Sequence, residues 1–234
     1  MKYTLKNEKF TAIVNTFGAY LEEFFTDDGK IFFPRMDIKI GNSTKPRGGM
    51  HVCYPNFSVD DITSLPVHGF GRDNEWSTVK SSDSSIELKL SGVNGYENLV
   101  AFIKYEIKND GLNTTLSIEN NTDIPQMIAP AFHPYFYSKE QKIKIDGFSL
   151  DGKILEDSVF LEANSLTFET SDKKYEIFGD NISIFTIWTD RKNDYICVEP
   201  TYNGPSFKKD CDKEPLVLKE GEKFSQKFTI RQLF

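Results

Sequence analysis

The sequence predicts an all-β protein, a large antiparallel sandwich forming a single domain over residues 1–234. Three observations predict it. Apolar side chains recur with a period of two, the spacing that puts alternate residues of a strand on one face. Gly, Asn, Asp and Pro bound these runs, as turns require. No window of 11 or more residues holds apolar positions at i, i+3, i+4 and i+7 free of Gly and Pro, which leaves no long amphipathic helix.

The elements follow in chain order. Asp27-Asp28-Gly29 supplies an early turn. Ile86, Leu88 and Leu90 alternate with Glu87 and Lys89, and Asn94-Gly95 marks the next turn. Residues 97–100 are the best helical candidate, a short turn at most. Ile103, Tyr105 and Ile107 alternate with Lys104 and Glu106, and Leu112, Thr114, Leu116 and Ile118 follow Asn109-Asp110-Gly111. Asp-Gly between two alternating runs signals a hairpin, because the tight turn needs φ > 0 at its centre. Ile143 and Ile145, then Ile182, Ile184, Thr186 and Trp188, then Phe224, Phe228 and Ile230 repeat the pattern. Asp151-Gly152, Asn203-Gly204 and Glu220-Gly221 are the turns among them.

Composition narrows the function. Lys and Arg number 28 against 35 Asp and Glu, a net charge of −7. That balance argues against a nucleic-acid partner, which would meet a basic face. A domain of this length buries roughly 70% of its unfolded surface, so its core needs neither disulfides nor a structural metal. Cys53, Cys197 and Cys211 show no CxxC spacing and suit free thiols in a reducing compartment. The charged first nine residues hold no apolar h-region, so no secretory signal is expected. No stretch approaches the ~20 apolar residues of a membrane-spanning helix. A cytoplasmic monomer is expected.

Residues 45–72 do not read as strand. They hold two Arg, two His, four Gly and three Pro in 28 positions. Such a segment costs backbone entropy and offers little apolar surface, so it reads as a functional loop on a rigid scaffold. Within it, His68 is either a half-exposed loop histidine or, with Arg72 four residues on, part of a site for a polar ligand. Arg47, beside Gly48-Gly49, is a surface arginine or a fork for an anion or sugar hydroxyls. His133, between Pro130 and Pro134 in an apolar run, is a hydrogen-bonded core histidine or a general acid with a tuned pKa. Glu199 ends the apolar run Tyr195-Ile196-Cys197-Val198 just before Pro200. A buried carboxylate is rare unless paired or working, so Glu199 is an ion-pair partner or a catalytic group.

Other constellations are weaker. His51 and Cys53 point the same way on an extended chain, but no cysteine-hydrolase signature surrounds them, and a buried structural Cys is the better reading. The three histidines, 17 and 65 residues apart, lack the compact spacing of zinc ligands. No GxxxxGK[ST] and no GxSxG occurs, which leaves no P-loop and no nucleophile elbow. Trp76 and Trp188 read as core.

Arg47-Gly48-Gly49, Pro55, Leu65-Pro66-Val67-His68-Gly69-Phe70-Gly71-Arg72 and Glu75-Trp76 together resemble the signature of the aldose 1-epimerase (mutarotase) superfamily. Within it, the string is most similar to the hexose-6-phosphate 1-epimerase branch. Later landmarks resemble the family in the same order. They are Ala131-Phe132-His133-Pro134-Tyr135-Phe136, Asp157-Ser158-Val159-Phe160, Cys197-Val198-Glu199-Pro200 and the turn of residues 216–222. The sequence departs from the branch at Gly71, where alanine is usual, and at Asn56, where an aromatic residue often follows the proline.

The resemblance implies an antiparallel β-supersandwich with a sugar pocket on one face. It implies His133 as the general acid on the ring oxygen and Glu199 as the general base on the anomeric hydroxyl. It implies His68 and Asp157 as hydrogen-bonding partners of the sugar, and Arg47 and Arg72 as ligands for sugar oxygens or a 6-phosphate. The expected partner is a small sugar or sugar phosphate, with no cofactor and no metal. Anomer exchange is a fitting task for such an inventory. A base removes the C1 hydroxyl proton, an acid protonates the ring oxygen, and the opened chain rotates and closes on its other face; each positioned group contributes about 10²–10⁴-fold. Two alternatives stand beside it: a catalytically silent sugar-binding protein on the same scaffold, and a glycoside hydrolase using Asp157 and Glu199.

Overall fold

The computed structural model describes residues 1–93, 95–97 and 99–233. Asn94, the first residue of the expected Asn94-Gly95 turn, and Asn98, inside the short helical candidate, lie outside the described residues. The fold is all-β, as the periodicity requires. Among the described residues the only helical elements are three 3-10 turns, Gly71–Asp73, Lys139–Gln141 and Leu155–Asp157.

Two large antiparallel sheets pack face to face. The first runs Lys2–Lys6, Phe10–Asn15, Tyr20–Thr26, Met50–Cys53, Ala131–Tyr137, Tyr195–Thr201, Ile184–Trp188, Val159–Glu162, with Gly29–Lys30 paired to Tyr20–Thr26. The second runs Lys144–Ile145, Ser165–Glu169, Lys174–Asp180, Lys223–Leu233, Gly111–Asn120, Leu99–Lys108, Ser85–Ser91, Ser77–Ser81. Aromatic contacts tie the inner faces together: Phe132 meets Phe228 at 5.0 Å, and Phe136 meets Phe168 at 4.9 Å and Tyr175 at 5.1 Å.

Burial patterns separate the sheets. Lys223–Leu233 alternates exposed or half-exposed with buried along its length, as a strand with one wet face should. Ala131–Tyr137 and Tyr195–Thr201 are buried on both faces. One face of each meets the core; the other faces the loops of the outer side. That second, polar buried face positions the site.

Three expectations change in detail. The hairpin of Leu99–Lys108 with Gly111–Asn120 forms where expected, with Lys108 opposite Gly111. Its turn is Asn109-Asp110, neither with a positive φ, while Gly111 opens the second strand at φ 155°. Glycine is needed there because a Cβ would lie 1.9 Å from the Ile230 carbonyl oxygen.

The segment of residues 45–72 is not a loop throughout. It contributes the end of the strand Ser43–Arg47 and all of Met50–Cys53, which is buried at every position in the first sheet. Met50, Val52, Tyr54 and Phe70 are core residues, so this stretch also supports the fold. The apolar residues are separated by His, Arg, Gly and Pro, which hides the period in a strand of four.

Pro200 does not end its strand, which continues to Thr201. The ladder between Ala131–Tyr137 and Tyr195–Thr201 pairs Ala131 with Thr201 and Tyr135 with Cys197, and is interrupted between them. Tyr135 N–H donates away from this seam to the Gly49 carbonyl oxygen, and the Thr201 carbonyl accepts from Ser183 on the far side. Strand residues alternate direction, so the donors that Pro134 and Pro200 lack belong to the seam itself. His133 and Glu199 stand beside that opening.

Candidate active site

A cavity of about 680 Å³ opens on the outer face of the first sheet, within the size range of small-molecule sites. Arg47, His68, Arg72, His133, Asp157 and Glu199, the six residues singled out in the sequence, all line it. The register explains the convergence. His51 pairs with His133 across one seam, and Glu199 pairs with Thr186 across another. Four adjacent strands thus present His51, His133, Glu199 and Thr186 in one row on the face opposite Phe132.

His133 Nε2 lies 3.5 Å from Glu199 Oε1, and both side chains are buried. Among the described residues, His133 Nδ1 and Glu199 Oε2 have no hydrogen-bond partner. Burial pushes the Glu199 carboxyl well above the usual carboxylate range. Burial, then the nearby His68 and His51 and the two guanidiniums, push the His133 imidazole well down. Both shifts favour uncharged groups.

The other two histidines pack around the first. Ring centroids of His51 and His68 lie 4.8 and 5.2 Å from that of His133. Arg72 Nη1 stands 3.2 Å from His51 Nε2; a guanidinium only donates, so His51 accepts there and carries its proton on Nδ1. Burial and Arg72 hold His51 neutral. Cys53 Sγ stands 3.3 Å from His68 Nδ1. Burial raises the Cys53 thiol well above its ordinary range and burial with Arg72 lowers His68 to about 3. Two uncharged groups therefore share that contact, and the Phe57 backbone also hydrogen-bonds the His68 ring. Gly69, at φ +65°, makes this turn possible: a Cβ would lie 2.1 Å from the Tyr54 carbonyl oxygen.

Arg47 is braced by Asp190, with Nε donating to Oδ2 at 2.8 Å, and its guanidinium lies 5.4 Å from the Trp188 ring centroid. Asp190 also accepts from the Tyr195 hydroxyl. Arg72 Nη2 donates to the Val67 carbonyl oxygen at 3.2 Å. Asp157 ends the 3-10 turn Leu155–Asp157 and stands exposed at the rim.

Two residues of the cavity carry more than the sequence suggested. Trp188 is not core; it lines the cavity, 5.8 Å from the His133 ring. Its alternation with Thr186 and Ile184 already puts it on the face of Thr186. His51, considered as a partner of Cys53 and as one of three histidines weighed as zinc ligands, lies between Arg72 and His133.

The geometry describes a class: a β-sandwich with a buried acid–base pair under a polar, cation-rimmed cavity. Among solved structures the chain is similar to a galactose mutarotase related enzyme from Lactobacillus acidophilus, at 15% identity and TM-score 0.79, covering 100% of this chain and 98% of that one. It is similar to a galactose mutarotase-like protein from Lactobacillus casei, at 15% identity and TM-score 0.79 over 100% of both chains. It is also similar to an aldose epimerase homologue from C. elegans, at 12% identity and TM-score 0.74, covering 100% of this chain and 99% of that one. These likenesses establish the fold. No curated protein matches in sequence. The family model for aldose 1-epimerase matches residues 1–176, and the chain belongs to that family. It is accordingly an enzyme of the isomerase/epimerase kind, with a small sugar as its substrate class. Glu199 lies beyond the matched residues, so its candidacy rests on the cavity.

Proposed function

We propose that this chain interconverts the α and β anomers of a hexose or hexose 6-phosphate, with His133 as general acid and Glu199 as general base. One observation carries the reading: His133 Nε2 and Glu199 Oε1, 3.5 Å apart, share the floor of a cavity of about 680 Å³. The ring oxygen and the anomeric hydroxyl oxygen are bonded to the same carbon, C1. A donor and an acceptor this close reach one each.

In the opening step Glu199 takes the hydroxyl proton as the C1 carbonyl forms. His133 gives its proton to the ring oxygen as the C1–O bond breaks. The pair then stands as neutral imidazole and carboxylic acid, the forms burial favours. A lowered pKa makes the imidazolium a stronger acid, and a raised one makes the carboxylate a stronger base. Rotation about C1–C2 turns the other carbonyl face to the same groups, and the reverse transfers close the ring. The pair carries one proton throughout, so its two tautomers interconvert without exchange with solvent. His68 and Asp157 supply hydrogen bonds to sugar hydroxyls.

The lean toward a phosphorylated sugar comes from charge. Arg35, Lys45, Arg47, Arg72 and Lys208 line the cavity against Asp73 and Asp157 at its edge, within a chain of net charge −7. Proton NMR of the anomeric signals tests the function: α-glucose and α-glucose 6-phosphate are dissolved with and without protein. Faster appearance of the β signal is expected. Sugar binding with no acceleration contradicts the proposal and selects a silent carbohydrate-binding protein.

A further inference from the structure

Beside the cavity floor, buried among Phe33, Tyr135 and Tyr195, lies a third ligating group that the proposed reaction leaves unused. Cys197 lies two residues before Glu199 on Tyr195–Thr201, so both side chains take the same face. One ligand atom each from His133, Cys197 and Glu199 lies within 4.8 Å of the others, and all three residues are buried. Zinc bonds of about 2.0–2.3 Å at tetrahedral angles set ligand atoms roughly 3.3–3.7 Å apart. The 3.5 Å between His133 Nε2 and Glu199 Oε1 already falls there, while the Cys197 thiol, within 4.8 Å of both, has to draw closer for all three to ligate. Two atoms of the set's side chains, His133 Nδ1 and Glu199 Oε2, are buried without a partner among the described residues.

We propose that His133, Cys197 and Glu199 form a binding site for a borderline-soft divalent cation of the zinc class, open toward the cavity on its fourth side. A thiolate and a carboxylate together carry two negative charges, which match the cation's two positive ones, so the complex buries no net charge. Their protons leave to solvent as the metal bonds form. Imidazole nitrogen with thiolate sulfur selects zinc or cobalt over magnesium or calcium. The sequence hid the site because its residues come from two strands, Ala131–Tyr137 and Tyr195–Thr201, brought together only by register. A cation there occupies both groups of the proposed reaction and competes with the sugar. That consequence rests on the acid–base reading; the site itself does not.

Cobalt(II) titration of the whole chain tests it. Thiolate-to-cobalt charge-transfer absorption and the intense visible bands of a four-coordinate ion are expected at one equivalent. Cys197→Ser should abolish the charge-transfer absorption and weaken binding about tenfold or more, while Cys211→Ser keeps both. Absence of that absorption in the unaltered chain, or its survival in Cys197→Ser, overturns the site. If Cys197→Ser does not fold, His133→Asn takes its place, and unchanged cobalt bands and affinity in that variant overturn the site equally. Zinc at the same concentrations should slow anomer exchange. Cobalt binding through Cys197 with undiminished exchange keeps the metal site and removes His133 and Glu199 from the reaction.

Discussion

Arg72 does two things with one side chain. Nη1 donates to His51 Nε2 at 3.2 Å and Nη2 to the Val67 carbonyl oxygen at 3.2 Å, so the guanidinium is oriented from behind while its charge faces the cavity. Its only ionic neighbour among the described residues is Asp73 at 3.7 Å, which is largely exposed. A charge-assisted hydrogen bond to a phosphate contributes about 1.5–3 kcal/mol. Arg72→Ala should therefore raise KM for hexose 6-phosphate about tenfold or more beyond its effect on the free hexose. Equal effects on both sugars would mean that the arginine meets hydroxyls only. Arg47 differs, because Asp190 at 2.8 Å already neutralises much of its charge.

At the scale of elements, the turn at His68-Gly69 and the seam between Ala131–Tyr137 and Tyr195–Thr201 shape the site. His68 has φ +67° and Gly69 φ +65°. Gly69→Ala should lower stability by about 1–3 kcal/mol and raise KM by displacing His68. Thermal unfolding and steady-state kinetics measure both, and an unchanged melting temperature would contradict the close approach to Tyr54. Much of this was legible in the sequence. The alternation at Ile103, Tyr105 and Ile107 gave a strand because one face is wet, and His133 stood out as a titratable ring in an apolar run. Met50–Cys53 was hidden because both its faces are buried, which erases the alternation that reveals a strand. Glu199 was legible as an unusual carboxylate, but not its position inside the strand. Trp188 was misjudged because periodicity assigns a residue to a face without saying what covers that face.

For the molecule as a whole, the gathered imidazoles make stability depend on pH. His51 and His68 are held neutral in the fold, His68 to about pH 3, whereas unfolded histidine protonates near 6.5. Below about pH 6.5 the unfolded chain binds more protons at these two positions than the folded one, so stability falls as pH falls. The slope is about 1 kcal/mol per pH unit for each histidine. His133 and Glu199 add nothing between about pH 4.3 and 6.5, since the pair holds one proton in either state there. The melting temperature should drop from pH 7 to pH 5, and His68→Gln should flatten the drop. A flat profile in the unaltered chain would contradict neutral, buried imidazoles.

The account rests on two proton-transfer groups acting on one carbon. The most direct measurement is the single-turnover rate of anomer exchange in His133→Asn and in Glu199→Gln, followed by NMR alongside thermal unfolding. Each variant should lose about 10²–10⁴-fold in rate while melting within a few degrees of the unaltered chain. Normal exchange in either one would contradict the mechanism.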